Sequence, residues 1–273
     1  MHLFFDFTLT FVFIYYIIDV GDTMKALITG ASSGIGAELA RVLSDQGVDL
    51  ILVARRKTRL AKLKSELKTD VEIIPMDISS TFNCMDLYNQ VKDKGIDILI
   101  NNAGFGVFGE FSETSLDKEL DMIDTNIKGV HILTKLFLND FTKMNRGYIL
   151  NVASSAAFQA GPLMATYYAT KAYVLRLSEA IYEELRQIKS NVGISVLCPG
   201  PVDTEFNKVA KVNFAVKPMN SKDVAEYAVK QMFKKKLIII PGKKMKLAYH
   251  GVKFVPKKTL LKIDYHIQSK KED

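Results

Sequence analysis

Seven short runs rich in β-branched residues, each separated from the next by a stretch with helical periodicity, constrain this chain more than any other feature. The runs fall at 25–29, 49–54, 72–76, 97–100, 148–152, 193–197 and 237–240; between them, 35–46, 58–68, 85–94, 116–144 and 165–188 repeat apolar residues at helical spacing. Strands that are apolar throughout need cover on both faces, and intervening helices supply it when the strands run parallel. The pattern therefore predicts an α/β fold around a parallel sheet. With 273 residues, 48% of them hydrophobic, the chain can bury one sizeable core. No repeat of fixed period and no low-complexity linker marks a second domain, so one domain is expected.

Both ends depart from the pattern. Residues 3–18 form an apolar run interrupted by Asp6 and followed by Asp19 and Asp22, with no basic residue before Lys25. A secretory signal needs a positive start and a small-residue cleavage site, and neither is present. A membrane anchor is the functional alternative, but the run is short and Asp6 is costly inside a bilayer. The expectation is that Met24 is the true start and that 1–23 stands apart from the fold. At the other end, residues 241–273 form a basic tail. Lys243, Lys244, Lys246, Lys253, Lys257, Lys258 and Lys262 account for much of the formal net charge of +7. Arg and aromatic residues are not interleaved there as a nucleic-acid groove requires, so no nucleic-acid partner is expected. A solvated basic face and a surface resting on anionic lipid are the two readings of the tail. Cys84 and Cys198 lie far apart, with no CxxC and no metal-ligand spacing. They read as small buried hydrophobes in a reducing, cytoplasmic setting, and no metal site is expected.

The stretch TGASSGIG, Thr29 to Gly36, leaves the first strand and enters a helix. Glycines at 30, 34 and 36 follow a GxxxGxG spacing. In such a turn, glycine is expected where a pyrophosphate approaches the N–H groups of a helix N-terminus. Gly30, Ser32, Ser33, Gly34, Ile35 and Gly36 are therefore candidate cofactor contacts. After the second strand the sequence reads LVARRKTR, with Arg55, Arg56 and Arg59 and no carboxylate. An acid there meets a free ribose 2′-hydroxyl, whereas arginine meets a 2′-phosphate, so the charge predicts NADP(H) with Arg55 as first candidate. Arg56 and Arg59 read equally well as exposed residues at the start of a helix.

Tyr167 and Lys171 stand four apart on a predicted helix and share a face. A YxxxK pair alone is a weak signal. Ser154 at the end of the fifth strand, Asn126 in the long preceding helix and NNAG (101–104) after the fourth strand all fall on the carboxyl side of the sheet, where α/β ligands bind. Taken together, TGASSGIG, NNAG, Asn126 in TNIKG, Ser154 in NVASS, YYATK and PGPVDT resemble the short-chain dehydrogenase/reductase family over about residues 24–240.

The resemblance implies a doubly wound, Rossmann-like parallel sheet of seven strands and a catalytic set of Asn126, Ser154, Tyr167 and Lys171. In that scheme hydride transfer to a carbonyl leaves an oxyanion, to which Tyr167 supplies a proton while Ser154 hydrogen-bonds the same oxygen. Bringing an ordinary tyrosine from a pKa near ~10 to about 7 takes roughly 4 kcal/mol of phenolate stabilisation, expected from Lys171. By resemblance Lys171 also binds the nicotinamide ribose, and Asn126 holds a water that resupplies protons. Asp77 and Ile78 border the adenine, Asn102, Ala103 and Gly104 line the cofactor, and Pro199, Gly200, Val202 and Thr204 lie at the nicotinamide, Thr204 on its carboxamide. Some NADP enzymes of the family carry a basic residue where this chain has Ser33, which leaves the phosphate to Arg55.

Segment 205–221, with Phe206, Val209, Val212, Phe214 and Met219, is expected as an apolar substrate-side cover. The expected substrate is a small carbonyl or alcohol, and helices 116–144 and 165–188 imply, by resemblance, a homodimer or homotetramer. Two rivals remain: a cofactor-binding sensor or scaffold without turnover, and a membrane-associated enzyme acting on lipid-like carbonyls through the basic tail.

Overall fold

The computed structural model describes residues 23–206 and 217–269. Expectations placed on 1–22, and on Val209, Val212 and Phe214, fall outside the described residues. The strands are β1 (Lys25–Thr29), β2 (Asp49–Ala54), β3 (Val71–Pro75), β4 (Ile98–Asn101), β5 (Tyr148–Val152), β6 (Gly193–Leu197) and β7 (Ile238–Ile239). They form one seven-stranded sheet in the order β3-β2-β1-β4-β5-β6-β7, parallel throughout. This is the doubly wound, Rossmann-like α/β arrangement that the sequence predicted.

Helices cover both faces: α1 (Gly34–Asp45), α2 (Lys57–Lys64), α3 (Thr81–Val91), α4 (Leu116–Ile123), α5 (Val130–Met144), α6 (Ala165–Gln187) and α7 (Ser221–Phe233), followed by α8 (Lys243–Gly251) and α9 (Lys257–Ser269). Side chains alternate across each strand. Ala26, Ile28, Leu50, Leu52 and Ile98 pack with Leu39 and Leu43 of α1 and Val224 and Ala228 of α7, all buried. Leu27, Ile51, Val53 and Leu99 face the other way, toward Leu87 of α3, Phe137 and Phe141 of α5 and Leu185 of α6. Each of the larger side chains contributes about 1.5–3 kcal/mol by leaving water, which is why continuous apolar runs were the dependable signal.

Local polar groups decide where helices stop. Predicted to run to 68, α2 ends at Lys64 because Ser65 turns its hydroxyl back to the Lys62 carbonyl at 2.7 Å. Beyond it the Lys68 N–H reaches Ser44 Oγ at 2.9 Å and the Thr69 hydroxyl reaches the Val48 carbonyl at 2.8 Å. The stretch predicted as one helix over 116–144 is interrupted by a π-helical segment, Asp124–Gly129, which contains Asn126. Such widenings often accompany functional sites. The strand order reverses between β1 and β4, so a crevice opens at the carboxyl ends of those strands.

Candidate active site

That crevice is a cleft of about 460 Å³, within the usual size of small-molecule sites. Every site residue proposed from the sequence lines it except Gly36 and Asn126, which support it from behind. The turn after β1 and the segment after β4 form one unit. Asn102 Nδ2 donates to the Thr29 and Gly30 carbonyls, both at 3.1 Å, and the Asn102 and Ala103 N–H groups donate to Thr29 Oγ1 at 3.1 and 3.2 Å. Gly30 has φ +63°, and a Cβ on it would lie 2.6 Å from Ala103 Cα; a Cβ on Gly36 would lie 2.5 Å from the Gly30 carbonyl oxygen and against Asn102. At these two positions glycine is required by the protein's own packing, a reason different from the cofactor approach inferred from spacing. Thr29, which opens the TGASSGIG stretch but was not among the candidate contacts, ties the unit together through its hydroxyl. Beneath it, Asn101 Nδ2 bonds Asn151 Oδ1 at 2.9 Å and Thr134 Oγ1 at 3.0 Å, and Asn151 Nδ2 bonds Ser178 Oγ at 3.1 Å.

Ser33 stands at the N-cap of α1 without a side-chain bond to the helix N–H groups, and the first turn of α1 carries no acid. Its N–H groups and the helix dipole are left to favour an anion. Beside them, Arg56 Nη2 lies 3.3 Å from both Ser32 Oγ and Ser33 Oγ. Arg55, the first candidate by sequence, is 73% exposed and turns toward Asp77 at 3.8 Å. The arginine nearest the phosphate-type turn is therefore Arg56; a strand end announces a basic cluster without telling which member folds inward.

At the deep end, Tyr167 and Lys171 share the buried face of α6. Lys171 Nζ donates to the Val152 carbonyl at 3.0 Å and lies 5.8 Å from the Tyr167 ring centre. Ser154, two residues beyond β5, accepts from the Ala156 N–H at 3.1 Å and lies beside the Tyr167 hydroxyl, where it favours the phenolate. Burial pushes Tyr167 up to about 12, opposed by the Ser154 hydrogen bond. That is opposite to the downward shift expected from sequence. Burial also pulls Lys171 down to about 8, and its ammonium is directed at a carbonyl instead of the phenol oxygen. Asn126 is fully buried. Its Nδ2 donates to the Phe105 carbonyl at 2.9 Å and Thr170 Oγ1 at 3.0 Å, and its Oδ1 accepts from the Phe105 N–H at 3.1 Å. Both amide hydrogens are thus spent, so a water held by this side chain has only the remaining Oδ1 lone pair. A Cβ on Gly104 would meet Asn126 Oδ1 at 2.8 Å and Lys171 Nζ at 3.2 Å, which places Gly104 directly over the pair.

The mouth beyond Tyr167 is apolar, with Phe105, Met164, Tyr168, Phe206 and Ile267 in its lining. Ile267 belongs to α9, in the stretch read from sequence as a basic tail. Gln159 Nε2 donates to Asp264 Oδ1 of α9 at 2.7 Å, and Gln268 Nε2 donates to the Tyr168 hydroxyl. Tyr168, the chain neighbour of Tyr167, is thus a docking point for α9. Both cysteines are buried and unpaired, and burial raises Cys84 to about 11 and Cys198 to about 12. Neither is an activated thiol.

The family model for short chain dehydrogenases matches residues 24–213. An uncharacterized oxidoreductase of Staphylococcus epidermidis is 33% identical over 185 residues, which cover 67% of this chain and 80% of that protein. Among solved structures, a short-chain dehydrogenase from Sphingobium yanoikuyae in complex with NADPH superposes with a TM-score of 0.77 at 30% identity, covering 84% of this chain and 92% of that one. A short-chain dehydrogenase/reductase from Burkholderia phymatum in complex with NAD gives 0.76 at 25% identity, with the same shares covered. The chain belongs to the short-chain dehydrogenase family and is an oxidoreductase of that type. Its fold is one that binds a nicotinamide cofactor, and no helix among the described residues is long and apolar enough to cross a membrane.

Proposed function

We propose that this enzyme transfers a hydride between NADP(H) and the carbonyl or alcohol carbon of a small apolar substrate. The observation that carries the reading is one cleft with an uncapped helix N-terminus and Arg56 at one end, and Ser154, Tyr167 and Lys171 at the other. The donor set fits the cofactor: the first turn of α1 with Ser32 and Ser33 would hold the pyrophosphate, Arg56 with its neighbours Arg55 and Arg59 the 2′-phosphate, Asp77 and Ile78 the adenine, and Thr204 with Pro199, Gly200 and Val202 the nicotinamide end. The bound cofactor supplies or accepts the hydride.

The chain's own residues handle the proton. With its pKa pushed up to about 12, Tyr167 keeps its hydroxyl hydrogen at neutral pH, the state a proton donor to a developing alkoxide needs. Ser154, beside that hydroxyl in the same cleft, is placed to donate to the same substrate oxygen. Lys171 stabilises the phenolate that forms as Tyr167 gives up its proton, and Asn126 fixes the loop through Phe105 so that Gly104 stays close to Lys171. A neutral tyrosine favours reduction of carbonyls over oxidation of alcohols near pH 7. The apolar mouth supports aromatic or branched ketones and aldehydes as substrates.

To test this, NADPH and NADH oxidation are followed against a panel of aldehydes, ketones and diketones. The expected result is turnover with an NADPH preference and a loss of about 10²–10⁴-fold in kcat for Tyr167→Phe, with NADPH binding retained. Binding of NADPH without turnover across a widening panel would favour the sensor reading.

A second reading concerns where the enzyme works. The free, buried cysteines suit a cytoplasmic protein, while Leu247 and Phe254, 75% and 86% exposed, sit among lysines of α8 and the turn before α9. That combination favours a cytoplasmic enzyme resting on anionic lipid. Sedimentation with phosphatidylglycerol vesicles, lost at high salt, is the expected outcome; indifference to such vesicles removes the idea. Exposed Leu116, Leu120 and Ile188 at the ends of α4 and α6 support a homodimer or homotetramer through those helices, to be read by light scattering.

A further inference from the structure

The basic cluster after β2 already has an anion. Arg59 Nη1 lies 2.6 Å from both carboxylate oxygens of Glu205, and Arg56 Nη2 lies 3.3 Å from Glu205 Oε2. The same Arg56 nitrogen is 3.3 Å from Ser32 Oγ and from Ser33 Oγ. Glu205 follows Thr204, and both line the cleft with the two serines. Hydrogen bonding from Arg59 holds the Glu205 carboxyl below its ordinary value, so it is ionised at neutral pH.

Two guanidinium groups thus share a single carboxylate, beside two hydroxyls that contact Arg56 and an N-terminus that carries no side-chain cap. Arginine forks suit phosphate geometry, and a phosphomonoester brings about 1.5–2 negative charges and three acceptor oxygens, against one charge and two oxygens for Glu205. The three side chains are 41–47% exposed, and exposed pairs of this kind are weak. A 2′-phosphate arriving at these donors displaces the carboxylate, whereas a ribose with a free 2′-hydroxyl brings no charge and leaves the arrangement as it is.

We infer that Glu205 occupies the donors of the 2′-phosphate site, Arg56 and Arg59, and sets the discrimination between the two nicotinamide dinucleotides by competing with that phosphate. The inference rests on the NADP(H) reading above. Glu205 is a specificity-determining residue, because it weakens NADP(H) selectively and leaves NAD(H) affinity untouched. Removing its charge leaves two cations to repel each other until a phosphate neutralises them.

Calorimetric titration of the full chain with NADPH, NADH and adenosine 2′,5′-bisphosphate tests this without turnover. Glu205→Gln should bind NADPH and the bisphosphate about three- to tenfold more tightly, with NADH changed by less than about twofold. The gain should disappear in an Arg56→Ala, Arg59→Ala background, as a coupling between neighbours requires. An unchanged NADPH affinity in Glu205→Gln overturns the inference, and weaker NADPH binding overturns it in favour of a carboxylate that orients the arginines. Weaker NADH binding does so in favour of a ribose ligand. Should the wild-type chain bind NADH and NADPH alike and Arg56→Ala alter neither, the NADP(H) reading itself fails. A preference lost in Arg56→Ala with no effect of Glu205→Gln defeats the competition alone.

Discussion

At the cofactor end of the cleft, the walls are closely packed backbone tied by one short side chain: Gly30 against Ala103, Gly36 against Gly30 and the Asn102 amide, and that amide bonded to the Thr29 and Gly30 carbonyls. At the substrate end the walls are side chains from segments distant in sequence, Phe105, Met164, Phe206 and Ile267, joined by single side-chain hydrogen bonds such as Gln159 to Asp264. The first construction tolerates almost no variation, because a Cβ has nowhere to go. The second accepts replacement at each position with a change of shape. Such a division leaves one end of the cleft fixed in shape and the other free to vary on the same fold.

The largest effect should come from breaking the rigid end. Gly30→Val puts a branched side chain at φ +63° and a Cβ 2.6 Å from Ala103 Cα. Backbone strain and overpacking together should cost about 2–5 kcal/mol, read as a lower urea midpoint, with NADPH binding lost beyond what unfolding explains. A midpoint within error of wild type would mean that the turn yields, and the contrast between the two ends would not hold.

The same contrast explains what could be read from the sequence. TGASSGIG and NNAG were legible because close backbone approach restricts residue type, and Tyr167 with Lys171 because helical spacing puts them on one face. The apolar strand runs were legible because both faces of the sheet are buried. That Arg56 and not Arg55 lies nearest Ser32 and Ser33 was not legible, since composition does not record how a side chain leaves a strand end. The π-helical segment around Asn126 left no mark in a pattern that reads 116–144 as one helix. The share of α9 in the cleft was hidden for another reason. Its buried face holds Asp264 and Gln268 while Ile263 and Ile267 are nearly half exposed, the inverse of the amphipathic pattern by which a docked helix is recognised. The direction of the Tyr167 shift was missed because it depends on burial and on where the Lys171 ammonium points, neither of which spacing fixes.

An intermediate effect is expected where the two ends meet. Lys171 is pulled down to about 8 by burial, so it is charged below that pH and neutral above it, while Tyr167, at about 12, keeps its proton throughout. Carbonyl reduction should therefore be level near pH 6–7 and fall as pH rises past about 8, as the charge that stabilises the departing phenolate is lost. Lys171→Met should lose about 10²-fold at pH 7 and lose the alkaline limb with it. A profile that stays flat to pH 9.5 in the wild type would show that Lys171 holds its proton in the working enzyme and that burial does not govern it.

The smallest effect belongs to the adaptable end and is the sharper test of it. Ile267 is 45% exposed and touches the cleft without belonging to the core, so Ile267→Ala removes apolar contact area and little stability. For a ketone large enough to reach the mouth, KM should rise about two- to tenfold, the equivalent of one to two lost methylene contacts. For a small aldehyde neither KM nor kcat should move, and the affinity for NADPH should stay the same. An equal loss for large and small substrates would mean that α9 acts by holding Tyr168 in place through Gln268 instead of shaping the wall. Gln268→Leu separates these cases: it leaves Ile267 in position and withdraws the donor from the Tyr168 hydroxyl. If the wall is what matters, Ile267→Ala raises KM and Gln268→Leu does not; if the docking of Tyr168 matters, the order is reversed.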